Sequence, residues 1–177
     1  MVSLLDINEL IKQAWESYEK ALEYMEKGDL RDAAEKAWLS VETMRKAIMV
    51  ATKIPYEKTR VVSIALNVFS RIMSILDAED LLLEYYAFQS TLHGLGFYEG
   101  ILNEDTTERF IKRVEIWLRK MSSLINKAKL IDARKILELE EQRIKVKQRL
   151  MVQAYELVKI RNQMREIINQ LKASIRH

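Results

Sequence analysis

The side chains best suited to chemistry in this chain are His93, Tyr98 and Glu99. They flank the glycines of a single stretch, Leu92-His93-Gly94-Leu95-Gly96-Phe97-Tyr98-Glu99-Gly100. An imidazole titrates near neutrality and can take or give a proton. A tyrosine ring can stack on a base, and a carboxylate can accept hydrogen bonds from ribose hydroxyls. His93 is therefore the candidate base or nucleotide contact, with Tyr98 and Glu99 as supporting groups. The bland alternative is a helix-terminal histidine whose charge suits the helix dipole, beside an aromatic pair that anchors a loop to the core. Three of the chain's four glycines fall in this stretch, and the sequence reads as helix on both sides. The stretch is expected to carry the irregular backbone that glycine permits.

Other chemistry is not signalled. No Gly-rich loop precedes a Lys-Ser/Thr pair, so a phosphate cradle of the P-loop kind is not indicated. No Glu-x-x-His pair exists for a carboxylate-bridged metal in a helical bundle, so neither metal nor cofactor is expected. No nucleophile elbow appears. With no cysteine, disulfides and thiolate metal sites are excluded, which suits a reducing cytoplasm. Abundant Glu, Lys, Arg and Ile alongside zero Cys also suits a hot environment.

A second candidate lies near the C-terminus. The net charge of +3 conceals an asymmetry: residues 143–177 hold nine Lys/Arg against two Glu, a balance of +7, leaving −4 for residues 1–142. Arg143, Lys147, Arg161, Arg165, Lys172 and Arg176 form a basic row beside an apolar helical face. Such a row could contact nucleic-acid phosphates, an acidic protein partner or a membrane surface. It could equally be a solvated flank whose Lys and Arg stems cover apolar surface. Nucleic acid is not favoured, because few aromatics accompany the row, and a membrane ranks lower, because the apolar face has no Trp or Phe.

The elements that must position these groups are helices. Nearly half of the 177 residues are apolar and only one is proline, a balance that favours an all-α chain over sheet. A first helix is predicted from Asp6, with Ile11, Trp15, Tyr18, Leu22 and Met25 on one face. Gly28-Asp29 ends it and caps a second helix that buries Ala34, Ala37, Val41, Met44, Ile48 and Ala51. Pro55 separates a third helix, from about Glu57 to Leu76, with Val61, Ala65, Val68, Ile72 and Ile75 inward. A fourth runs from about Ala78 to His93 through Leu81, Tyr85, Phe88 and Leu92, with Glu84 as a solvated residue. A fifth starts at Asp105-Thr106-Thr107-Glu108 and buries Phe110, Val114, Trp117, Met121 and Leu124.

From about Leu130 onwards, one helix of some forty-five residues is predicted, approaching ~65–70 Å in length. Leu139, Val146, Leu150, Leu157, Ile160, Met164, Ile168, Leu171 and Ile175 share one face. Leu137, Ile144, Met151, Tyr155 and Val158 form a second stripe in its first part only, as if that part were sandwiched. The expected organisation is a bundle over residues 1–128 and a long amphipathic helix over 129–177 that packs on the bundle and pairs with a second copy. No membrane span is expected, nor a secretory leader, nor a helical-repeat array.

The Gly28-Asp29-Leu30 turn with Ala33-Ala34-Glu35-Lys36-Ala37-Trp38, followed much later by Leu92-His93 and Phe97-Tyr98-Glu99-Gly100, resembles the archaeal PaREP family of small helical proteins. That family is usually grouped with the HEPN superfamily, and the resemblance covers roughly residues 7–125. It implies an up-and-down HEPN-like bundle of about five helices. In the family pattern two residues separate the His from the Phe, the second an Asn; here Gly94-Leu95-Gly96 intervene. HEPN ribonucleases place an Arg four to six residues before a His, so that one moves a proton while the other stabilises phosphate charge. Neither His93 nor His177 has such an Arg. The leading expectation is a non-enzymatic binding or assembly module that dimerises through its last helix. The resemblance implies a nucleotide-sensing or toxin–antitoxin-type component. The alternatives are an RNA- or nucleotide-acting enzyme using His93, and a nucleic-acid-binding dimer using the basic row.

Overall fold

The structure is a computed structural model that describes the backbone of residues 7–175 and the side chains of residues 7–164. The expected cap at Asp6, His177, and the side chains of Arg165, Ile168, Leu171, Lys172, Ile175 and Arg176 lie outside the described residues. The helices are α1 (Ile7–Glu26), α2 (Leu30–Ala51), a 3-10 turn (Tyr56–Arg60), α3 (Val62–Ile75), α4 (Glu79–Phe88), a π-helix (Gln89–Tyr98), α5 (Glu104–Ala128) and α6 (Arg134–Ile175). No strand occurs among the described residues. Two compact units result, Met1–Leu137 and Glu138–His177.

The first unit is a helical bundle around α2, which touches each of its other helices and the 3-10 turn. Thirteen of α2's residues are buried, among them Ala33, Ala34, Ala37, Val41, Met44 and Ile48. A helix apolar on most of its circumference has to be central, and the alanines let neighbouring backbones approach closely. Trp117 of α5 is fully buried and donates its indole N–H to the Leu81 carbonyl at 2.8 Å. That bond satisfies the one polar atom of a side chain whose burial contributes roughly 1.5–3 kcal/mol.

Helix ends follow from local chemistry. Gly28 (φ 74°) closes α1 with a Schellman pair, Asp29 N–H to Tyr24 O and Gly28 N–H to Met25 O, each 3.0 Å. Asp29 then accepts from Asp32 N–H at 3.1 Å and caps α2. The same closure recurs after α2 at Lys53 (φ 66°) and after α3 at Asp77 (φ 55°), where no glycine announces it. Ala133 N–H donates to Thr52 O at 2.9 Å, tying the segment before α6 to the end of α2.

Several expectations need correction. α1 turns Leu10, Ala14, Tyr18 and Ala21 inward and leaves Leu22 exposed, because the alanines allow a closer approach than a stripe of large residues. The third helix is interrupted, a 3-10 turn preceding α3. Val61 is the extended N-cap and Ile75 the last residue of α3, so both are exposed rather than inward. The cap of α5 is Asn103, which accepts from Thr106 N–H at 2.9 Å, and Phe110 and Leu124 are only partly buried. Glu84 is not simply solvated: it accepts from Arg113 at 3.3 Å. In the second unit, Met151, Tyr155 and Val158 are exposed in the single chain instead of sandwiched.

The largest correction concerns the glycine stretch. The fourth helix does not stop at His93; it widens into a π-helix from Gln89 to Tyr98 and ends with Glu99 N–H bonded to Gly94 O, five residues back, at 3.2 Å. Such segments are rare beyond a single turn. Of its two glycines, Gly96 is required by space. A Cβ there would lie 2.7 Å from Ala34 Cβ and 3.0 Å from Leu102 Cδ1, whereas one on Gly94 would meet only Gln89 O at 3.8 Å. The terminator is Gly100, with φ 65°. Gly96→Ala is therefore expected to cost about 1–3 kcal/mol by overpacking. Gly94→Ala should be neutral or stabilising by up to ~1 kcal/mol. Urea unfolding of the two variants checks the contrast, and equal effects would contradict it.

Candidate functional site

The π-helix determines what surrounds His93. Its wider turn brings both the fourth and fifth following residues back over a given position. Phe97 thus lies nearly parallel to the imidazole at 6.2 Å, and Tyr98 meets it edge-on at 4.7 Å. From α2, Trp38 stacks on His93 at 5.2 Å. Arg31, the second residue of α2, donates its Nε–H to Phe97 O at 2.7 Å and places its guanidinium 5.5 Å from the Phe97 ring. Trp38, His93, Phe97 and Arg31 thus join the glycine stretch to α2 by ring stacking, a cation–π contact and one charge-assisted hydrogen bond.

His93 is partly buried, and its Nδ1 is the one buried side-chain N or O atom without a hydrogen-bond partner among the described residues. A nitrogen so buried cannot reach a substrate, so Nδ1 is not an atom through which His93 would exchange a proton with one. Tyr98 is 65% exposed and Glu99 is exposed at the helix end. The structure brings His93 and Tyr98 together, and the Glu99 carboxylate makes no hydrogen bond or ion pair among the described residues. Phe97 is the anchor in this stretch.

Beside the stack is a charged cluster that spacing analysis missed. Arg45 of α2 is 2% exposed. Its guanidinium donates through two nitrogens to the Glu42 carboxylate, to Thr59 O at 2.9 Å and to Met49 Sδ at 2.9 Å. Tyr85 donates its hydroxyl to Glu42 Oε2 at 3.1 Å, and its ring packs on Trp38 and Phe69, each at 5.4 Å. Burial opposes the charge on Arg45, yet Glu42 and Tyr85 hold its pKa above the ordinary value. Burial, then the Glu42 charge, pushes the Tyr85 phenol well above its usual range, with Arg45 pulling the other way. The available signal was a Glu-x-x-Arg pair, Glu42 and Arg45, set into the buried side of an otherwise apolar helix. A cluster with every partner satisfied is a structural keystone rather than a reactive centre.

Elsewhere, Arg113 lies 5.0 Å from the Phe110 ring and 5.7 Å from Phe88 while pairing with Glu84. Of the basic row, Arg143 pairs with Glu140 at 2.8 Å, and Lys147 and Arg161 are exposed. No group of three or more His, Asp or Glu that could hold a metal ion occurs among the described residues. No helix among them is long and apolar enough to cross a membrane.

A family model described as the Archaeal PaREP1/PaREP8 family matches residues 9–118, from the start of α1 through most of α5. The chain belongs to this family. No curated protein and no solved structure matches it. In PaREP terms, the matched segment contains the α2 keystone, the Trp38–His93 stack and the π-helix, while α6 lies beyond it.

Two predictions follow from the buried groups. Arg45→Met leaves the Glu42 carboxylate without its counter-charge and is expected to cost about 3–5 kcal/mol in denaturant unfolding. Tyr85→Phe should cost only about 0.5–1.5 kcal/mol. The second concerns pH. Burial, then the charge of Glu115 and the hydrogen bond to it, raises Tyr18 to about 12, against an opposing pull from Arg119. A phenol whose pKa is higher in the folded than in the unfolded state stabilises the fold fully below the unfolded value near 10. That contribution is lost as pH climbs through the folded value. Between pH 10 and about 12, unfolding free energy should therefore fall more steeply in the parent protein than in Tyr18→Phe. Parallel slopes would contradict this assignment.

Proposed function

We propose that this PaREP chain is a non-enzymatic binding and assembly module, self-associating through α6 as a homo-oligomer whose smallest form is a dimer. The observation that carries this reading is the apolar surface of α6. Ten large apolar side chains between Leu139 and Met164 are more than half exposed in the single chain. Monomeric proteins rarely leave contiguous apolar surface of that extent in water, and patches of this kind mark sites of association. The bundle supports the same reading, since the groups nearest His93 are occupied in mutual stacking. The finer role, a component of a nucleotide-sensing or toxin–antitoxin-type pair, follows from the family resemblance of the sequence alone. On this reading the protein acts in the cytoplasm by presenting its bundle in an assembly, and a protein is the natural ligand of that bundle.

Sedimentation equilibrium tests this directly. The full-length chain should sediment as a dimer or larger at micromolar concentration, with little change between low and high salt, because burial of apolar surface drives it. A chain ending near Lys145 loses most of α6 but should keep the helices of its bundle folded and sediment as a monomer. Full-length protein that is monomeric throughout overturns the proposal.

A further inference from the structure

The exposed face of α6 carries an order that says how copies meet. Val146, Leu150, Gln153, Leu157, Ile160 and Met164 succeed one another at alternating steps of four and three, the heptad repeat that makes helices supercoil left-handed. Leu150, Leu157 and Met164 occupy a positions, and Val146, Gln153 and Ile160 occupy d positions. The five apolar members are each 52–68% exposed. Gln153 is the one polar member, and a lone polar core residue fixes register because it is satisfied only opposite its own kind.

The flanking charges discriminate between orientations. Glu156 is a g position and Arg161 the e position five residues later. In a parallel, in-register pair, each Glu156 faces the Arg161 of the other copy, once on either side of the seam. Neither residue makes an ion pair among the described residues of its own chain. Turned antiparallel about the middle of this seam, the flanks would set Glu156 against Glu156 and Lys147 against Arg161, two like-charge contacts and no opposite-charge one. From this geometry we infer that α6 joins copies of the chain as parallel, in-register strands, with Gln153 stacked on Gln153 and Glu156 paired with Arg161 across the seam. Leu at a with Ile at d favours three or four such strands over two, so a mass above that of a dimer is the expected result.

This inference rests on the assembly reading and adds the orientation. The chain has no cysteine, so single variants of the full-length protein report cleanly. In a parallel in-register assembly every d layer sits opposite itself. In an antiparallel pair at most one layer can. Val146→Cys, Gln153→Cys and Ile160→Cys, each oxidised in a glutathione buffer and run without reductant, are all expected to give a covalent pair that reduction abolishes. Crosslinking of one variant or none, in protein that still sediments as an oligomer, overturns the parallel arrangement and leaves the assembly reading standing. Monomeric parent protein overturns both.

Discussion

A guanidinium in an apolar interior is tolerable only beside a carboxylate, and in this bundle the pair comes from a single helix. Glu42 and Arg45 lie three residues apart on α2, so the counter-charge is delivered by local geometry before any tertiary contact forms. What tertiary structure adds is the rest of the coordination, the Thr59 carbonyl from the 3-10 turn and the Tyr85 hydroxyl from α4. Each element is thereby referred to one rigid centre. Trp38 touches both Tyr85 and His93, so the centre continues into the π-helix without a gap. Breaking an ion pair of this kind is far more costly than never having built it, which makes the helices around it difficult to rearrange piecemeal.

The histidine that first draws attention is thus held by structure on several sides. Its imidazole takes part in the packing that fixes the π-helix to α2, and of its exposed neighbours Tyr98 lies against its edge while Glu99 stands at the helix end. Apart from the unpartnered Nδ1 of His93, the feature that stands out lies on α6, beyond the segment matched by the family, where large apolar side chains are exposed in the single chain. The bundle of the shared type is closely packed, whereas the helix outside it exposes much of its apolar surface in the single chain.

Periodicity made the helices legible, because α2, α4 and α5 place residues of one face at steps of three and four; Leu81, Tyr85, Phe88 and Leu92 are all buried as spaced. Caps were readable where side chains announce them, as at Gly28-Asp29. They were hidden at Lys53 and Asp77, which adopt left-handed backbone without being glycine. The π-helix was illegible for a different reason. Glycine predicts freedom of the backbone, but at Gly96 the missing side chain serves proximity, and proximity to Ala34 is a fact about another helix. Glu42 and Arg45 escaped notice because charges are expected at the surface, and only their mutual spacing distinguishes a buried pair from a solvated one.

The close meeting of Gly96 with Ala34 has an evolutionary corollary. Two positions far apart in the chain share one small volume, and that volume already holds a single methyl group. An alanine at 96 fits comfortably only if 34 becomes glycine, so the pair is free to trade the methyl but not to add one. Substitution there is a two-step path through a strained intermediate, and related sequences would show it as covariation between two residues that neither charge nor polarity connects.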